Sequence, residues 1–112
     1  MVLFYFRDGA NYASVYTQSK IISENIKWNM KIKSKKVRAL LVNTRNANAF
    51  TGAKGFKSLV NLADSLSVQL SEKNKIDDEN PVKIRPPDIL FACTGTIGEK
   101  FPEDKIKYCL PD

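Results

Sequence analysis

One arrangement constrains this chain more than any other. An apolar run, an amide-rich loop and a long amphipathic stretch follow one another from Val37 to Leu70. The run Val37–Asn43, VRALLVN, is almost continuously apolar, the kind of strand that is buried on both faces. From Gly52 to Leu70 the apolar residues Phe56, Leu59, Val60, Ala63, Leu66 and Leu70 recur at steps of three and four, one stripe on a helical period. Phe56, Leu59, Ala63 and Leu66 read as core. Thr51 stands where an N-cap is expected, but Lys54 three positions on leaves no capping box. The loop between carries Asn43, Asn46 and Asn48.

A second copy of the logic follows. PDILFACTG, Pro87 to Gly95, is another apolar strand, and it ends in Thr94-Gly95. Proline and acids then open PEDKIKYCL, Pro102 to Leu110, as a short helix should begin. Strand, loop, helix, repeated, predicts an α/β or α+β layered fold, a mixed sheet with flanking helices.

The rest of the chain is filled in around these units. VLFYF (Val2–Phe6) suits a strand, Arg7–Asn11 reads as a hairpin turn, and YASVYT (Tyr12–Thr17) reads as the return strand. SENIKW reads as a short extended piece, with Trp28 packed on the core. Residues 72–87 are polar and proline-bearing and read as a flexible loop. The whole, 1–112, reads as a single partial domain.

Composition removes several chemistries. The chain has no histidine, which excludes imidazole acid–base work and the commonest metal ligand. Its two cysteines, Cys93 and Cys109, lack metal-like spacing and read as reduced thiols of a cytoplasmic protein. No apolar stretch reaches the length of a membrane span. The net charge of +6 is spread out, and KIKSKK (Lys31–Lys36) lacks the interleaved aromatics that would stack bases, which argues against nucleic acid as a partner.

The two loops leave apolar strands at their carboxyl ends, where layered folds often place ligands. Backbone N–H groups at a Thr-Gly turn can hold an anion or a developing oxyanion, and Thr94 adds a hydroxyl. The three amides either build the turn through local bonds or read an amide or carboxylate of a substrate. Both readings stand at this point.

RALLVNTRNANAFTGAKG followed by ILFACTGTIGEKFPEDKI resembles the ornithine acetyltransferase family, the bifunctional glutamate N-acetyltransferases of arginine biosynthesis. That family shows an apolar strand ending in Asn-Ser-Gly-Asn-Ala-Asn, a Thr-Gly and a helix, then Ser-Thr-Gly-Val-Ile-Gly, Leu-Pro and a short helix. ASVYTQSKIISENIKW is similar to its Val-Phe-Thr segment, so the resemblance covers nearly the whole chain.

The resemblance implies an N-terminal-nucleophile-like α-β-β-α sandwich. It implies a ping-pong transfer of acetyl from N-acetylornithine to glutamate through a threonine acyl-enzyme, with no metal and no resident cofactor. Acetyl-CoA serves some members as acetyl donor. It implies that Thr94 and Gly95 form the oxyanion hole, beside a substrate loop bearing Asn43, Asn46 and Asn48. Thr44-Arg45 replaces the family's Ser-Gly, Lys54 its frequent capping acid or amide, and Cys93 its serine. A glycine at position 45 would suit an unusual backbone angle. The family's self-cleavage sequence, a threonine pair followed by aspartate, does not occur in these 112 residues. The expectation is therefore an α-chain-like piece that needs a β-chain-like partner and is inactive alone. A catalytically dead remnant and a small basic nucleic-acid-binding module are the alternatives.

Overall fold

The computed structural model describes residues 1–34, 36–77, 79 and 82–110. Its elements run β1 (Val2–Asn11), α1 (Glu24–Lys31), β2 (Lys36–Asn43), α2 (Gly52–Asp77), a 3-10 turn (Pro86–Asp88), β3 (Ile89–Cys93) and α3 (Glu103–Cys109). The three strands form one sheet in the order β1-β2-β3. β1 is antiparallel to β2 and β3 is parallel to it, so the sheet is mixed. The layered α+β architecture expected from the strand–loop–helix pattern is the one observed.

β2 is central, and its burial alternates. Val37, Ala39, Leu41 and Asn43 are buried, while Leu40 and Val42 are only half-buried. The expectation of burial on both faces thus holds for one face only. On that face Ala39, Leu41, Ile89 and Phe91 pack with Leu59, Leu62, Ala63, Leu66 and Leu70 of α2. Ile84, Phe101 and Ile106 close the core. The registers Val2↔Val42, Phe4↔Leu40, Leu40↔Leu90 and Val42↔Ala92 place these six apolar residues on the opposite face. No described element covers it.

Several sequence expectations are corrected. Arg7–Asn11 is not a hairpin turn, and Tyr12–Thr17 is not a return strand. β1 continues through these positions to Asn11, with a register shift between Tyr5 and Ala10 where the paired residues on β2 are Ala39 and Val37. Gly9, at φ 75°, and the Arg38 guanidinium, which donates to the Arg7 carbonyl at 2.8 Å, shape this bulge. The turn signal in Asp8-Gly9 is real, but β2 claims residues on both sides of it. Tyr12–Thr17 lacks regular structure, and the Tyr12 hydroxyl donates to the Ser34 carbonyl at 3.0 Å.

Trp28 lies on a helix, α1, and not on an extended piece. That helix seals the outer edge of β3. The Asn29 side chain donates to the Phe91 carbonyl at 2.8 Å and accepts from the Phe91 N–H at 3.0 Å. The Trp28 indole N–H donates to the Ile89 carbonyl at 2.8 Å, and its ring meets Phe91 edge-on at 5.6 Å. Two side chains thus stand in for a neighbouring strand.

The stretch expected as a loop, 72–87, is helical at its start. α2 runs on to Asp77 because Leu70 and Asn74 keep its buried stripe going. Asn74 donates to the Val82 carbonyl at 3.3 Å and accepts from the Tyr5 hydroxyl. Ser71 accepts from the Ile84 N–H at 2.9 Å and donates to its carbonyl at 3.2 Å. Residues 78, 80 and 81 lie outside the described residues.

Candidate active site

β2 ends at Asn43 and β3 at Cys93, which are partners in the parallel register. Their loops therefore leave the sheet side by side. The pairing does not stop at the strand ends. The Thr94 N–H donates to the Asn43 carbonyl at 3.1 Å, the Thr96 N–H to Arg45 at 3.1 Å, the Ala47 N–H to Thr96 at 3.0 Å, and the Gly98 N–H to Ala49 at 2.8 Å. Asn46 and Thr96 form a parallel bridge. Two loops that read as separate in the sequence are one unit.

The three asparagines have three different uses. Asn46 is buried, and its Nδ2 donates to the carbonyls of Glu99 at 3.2 Å and Lys100 at 3.1 Å. Its Oδ1 accepts from the Asn48 N–H at 2.8 Å. Asn48 is fully buried, at 0 % exposure. Its Nδ2 donates to the Gly55 carbonyl at 3.3 Å, its Oδ1 accepts from the Thr51 hydroxyl at 2.7 Å, and its carbonyl accepts the Glu24 N–H at 2.9 Å. It ties the loop to α1 and α2. Thr51 thus spends its hydroxyl on Asn48, where an N-cap role was expected. Asn43 is buried, and its Nδ2 has no partner among the described residues.

The loop needs backbone angles that side chains disfavour. Arg45 sits at φ 73°, Asn48 at 50° and Phe50 at 56°. Asparagine tolerates this region, whereas Arg45 and Phe50 do not adopt it readily. Gly95, at φ 130°, packs directly on the other loop. A Cβ there would lie 2.3 Å from the Arg45 carbonyl carbon and 2.6 Å from the Asn46 nitrogen. Gly55 is equally confined, since a Cβ would lie 1.9 Å from the Thr51 hydroxyl oxygen. The sequence reasoning did not single out Gly55; a glycine in the first turn of a helix, where alanine is the better helix former, was the available signal.

Thr94 and Gly95 are exposed. The Thr94 N–H is spent on Asn43, so the donors left at this turn are the Gly95 N–H, which has no acceptor among the described residues, and the Thr94 hydroxyl. Next to them, a cleft of about 660 Å³ is lined by Asn43, Arg45, Asn46, Lys100, Lys105 and Cys109, among others. Thr94 and Gly95 do not line it.

Burial pushes the Cys93 thiol up to about 12, so it stays protonated and inert at neutral pH. Cys109 is exposed, and neither cysteine is in a disulfide. No group of three or more His, Cys, Asp or Glu suited to a metal occurs among the described residues, and no described helix is long and apolar enough to cross a membrane.

A mixed sheet, a helix linking its parallel strands, and a fused loop pair with open donors at the strands' carboxyl ends define a layered α+β protein. The chain belongs to the ArgJ family, whose sequence model matches residues 1–112. It is 34% identical over 112 residues to the arginine biosynthesis bifunctional protein ArgJ of Gluconobacter oxydans, covering 99% of this chain and 24% of the relative. It is 30% identical over 103 residues to the glutamate N-acetyltransferase of Methanothermobacter thermautotrophicus, covering 91% and 23%. The crystal structure of ArgJ from Bacillus halodurans matches with a TM-score of 0.80 at 24% identity, covering 96% of this chain and 51% of that one. The ornithine acetyltransferase of Mycobacterium tuberculosis, solved with ornithine, matches with a TM-score of 0.78 at 24% identity, covering 89% and 49%. The chain thus spans about a quarter of the length of these curated relatives.

Proposed function

We propose that these residues supply the oxyanion-binding part of a cytoplasmic acetyl-transfer enzyme of arginine biosynthesis, moving acetyl from N-acetylornithine to glutamate. The observation that carries this reading is the open donor pair at Thr94-Gly95, fixed on the fused loops at the ends of β2 and β3. In such a reaction a nucleophile attacks the acetyl carbonyl, and the carbonyl oxygen becomes an oxyanion. The Gly95 N–H and the Thr94 hydroxyl would donate to that oxygen, and preorganised donors of this kind lower the barrier by several kcal/mol. The reading assigns the threonine nucleophile to the part of the family enzymes that these residues do not span. The uncovered apolar face of Val2, Phe4, Leu40, Val42, Leu90 and Ala92 supports work alongside more polypeptide of the same enzyme. No resident cofactor enters the step, and acetyl-CoA would serve as an alternative acetyl donor.

The test is reconstitution. The chain is co-expressed with the part of the Gluconobacter oxydans relative that it does not match, and acetyl transfer from N-acetylornithine to glutamate is measured. Transfer is expected from the pair and not from either piece. Thr94→Ala is expected to lower kcat about 100-fold. If the relative's own matching segment restores transfer in this assay and the present chain does not, the reading is wrong.

A further inference from the structure

We infer that Asn46 is a positioning residue, the clamp that sets where the Gly95 N–H points. The inference rests on the oxyanion reading above and assigns the amide that makes that site rigid.

The geometry singles out Asn46 among the three asparagines. Its side chain is buried at 5 % exposure and uses both ends. Nδ2 donates to two successive carbonyls of the second loop, Glu99 and Lys100, at 3.2 and 3.1 Å. Oδ1 holds the Asn48 N–H of its own loop at 2.8 Å. Thr94 bonds to Asn43 just before Gly95, the Arg45–Thr96–Ala47 ladder grips the second loop just after it, and Gly98 bonds to Ala49 further on. Asn46 closes the far end, so the segment from Thr94 to Lys100 is held at both ends against the first loop. Gly95 lies inside that span, so close to Arg45 that an added Cβ would lie 2.3 Å from its carbonyl carbon. With the far end loosened, only the Thr96 and Gly98 bonds hold the segment beyond Gly95, and the Gly95 N–H shifts as those bonds open. Asn48 and Asn43 cannot do this: Asn48 bonds to α1, α2 and its own loop, and the Asn43 side chain bonds to nothing described.

Asn46→Asp keeps the shape and removes the donor, since a carboxylate would face two carbonyl oxygens. Backbone amide exchange of the 112-residue chain is measured first. The Thr96, Ala47 and Gly98 N–H groups are expected to exchange at least about 10-fold faster in the variant, while Leu41 and Phe91 keep their wild-type protection. Unchanged exchange at the three loop positions overturns the inference. So does equal acceleration at Leu41 and Phe91, which would make Asn46 a general fold residue. If the variant does not fold, the wild-type chain decides: scalar coupling across hydrogen bonds from Asn46 Nδ2 to the Glu99 and Lys100 carbonyl carbons supports the clamp, and its absence overturns it. In the reconstituted enzyme the variant is expected to lose kcat about 10- to 100-fold with KM held. A loosened loop with unchanged kcat overturns the positioning role. A wild-type pair with no acetyl transfer defeats the oxyanion reading instead, and leaves the exchange result to judge the clamp.

Discussion

Arg45 occupies a left-handed backbone position at φ 73°. A side chain there costs on the order of 1–2 kcal/mol, of which the greater freedom of unfolded glycine returns part. Arg45→Gly is expected to stabilise the chain by about 0.5–1 kcal/mol in urea unfolding. Gly95 is the opposite case. Gly95→Ala meets backbone, which cannot step aside, and combines that with an unfavourable φ of 130°. The expected loss is about 3 kcal/mol, read from the same unfolding curves. The family resemblance, which implies glycine at position 45, points to an unusual angle there, and Arg45 takes one. It could not show that Gly95 lies against it, because that contact is made between two loops far apart in the chain.

At the scale of elements, the edge of β3 shows how side chains complete a sheet. Asn29 bonds both the N–H and the carbonyl of Phe91. Asn29→Ala leaves both groups unpaired and is expected to cost about 2–3 kcal/mol, with faster amide exchange along β3. Helix α2 was legible over most of its length because its stripe is regular. Its last turns were not, because Asn74 and Ser71 look polar in sequence and are held by bonds to Val82 and Ile84 that only folding supplies. α3 is tied to α2 through Glu103, which accepts from Asn61 at 3.0 Å and pairs with Lys107 at 2.8 Å. Burial alone would raise the Glu103 carboxyl, but hydrogen bonds from Lys107, Ser58 and Asn61 and the Lys107 charge outweigh it and hold it below the ordinary carboxylate value. A carboxyl depressed in the folded state contributes stability that is present above its unfolded pKa and lost as pH falls through the folded one. Protection of the α3 amides is therefore expected to fall as the pH is lowered through and below the ordinary carboxylate range, and Glu103→Gln should flatten that dependence.

Among the described residues, the sheet has one face covered by helices and one that no helix or strand covers. Val2 and Phe4 on the edge strand are 52 % and 49 % exposed, continuous with Leu40 and Val42. A face of this composition on an open edge drives association. Sedimentation of the isolated chain is expected to show concentration-dependent oligomers. Phe4→Lys should reduce them with a stability change within about 0.5 kcal/mol, since the side chain is exposed. Failure of the substitution to alter association would remove this face as the cause.

The sequence by itself determined the strand–loop–helix units, the α+β class, the stripe of α2 and the family motifs, because these depend on local periodicity and on residue order. It also placed Asn46, Asn48, Thr94 and Gly95 on loops at strand ends, with Asn43 closing the first of those strands. Only the tertiary structure decided that β1 runs through its glycine turn, that α1 is a helix sealing an edge, and which amide does what. The reason is physical: each of those outcomes depends on a partner far along the chain, β2 for β1, Phe91 for Asn29, Glu99 and Lys100 for Asn46. Local propensity is worth a few tenths of a kcal/mol per residue, and a buried hydrogen bond or a strand pairing outweighs it.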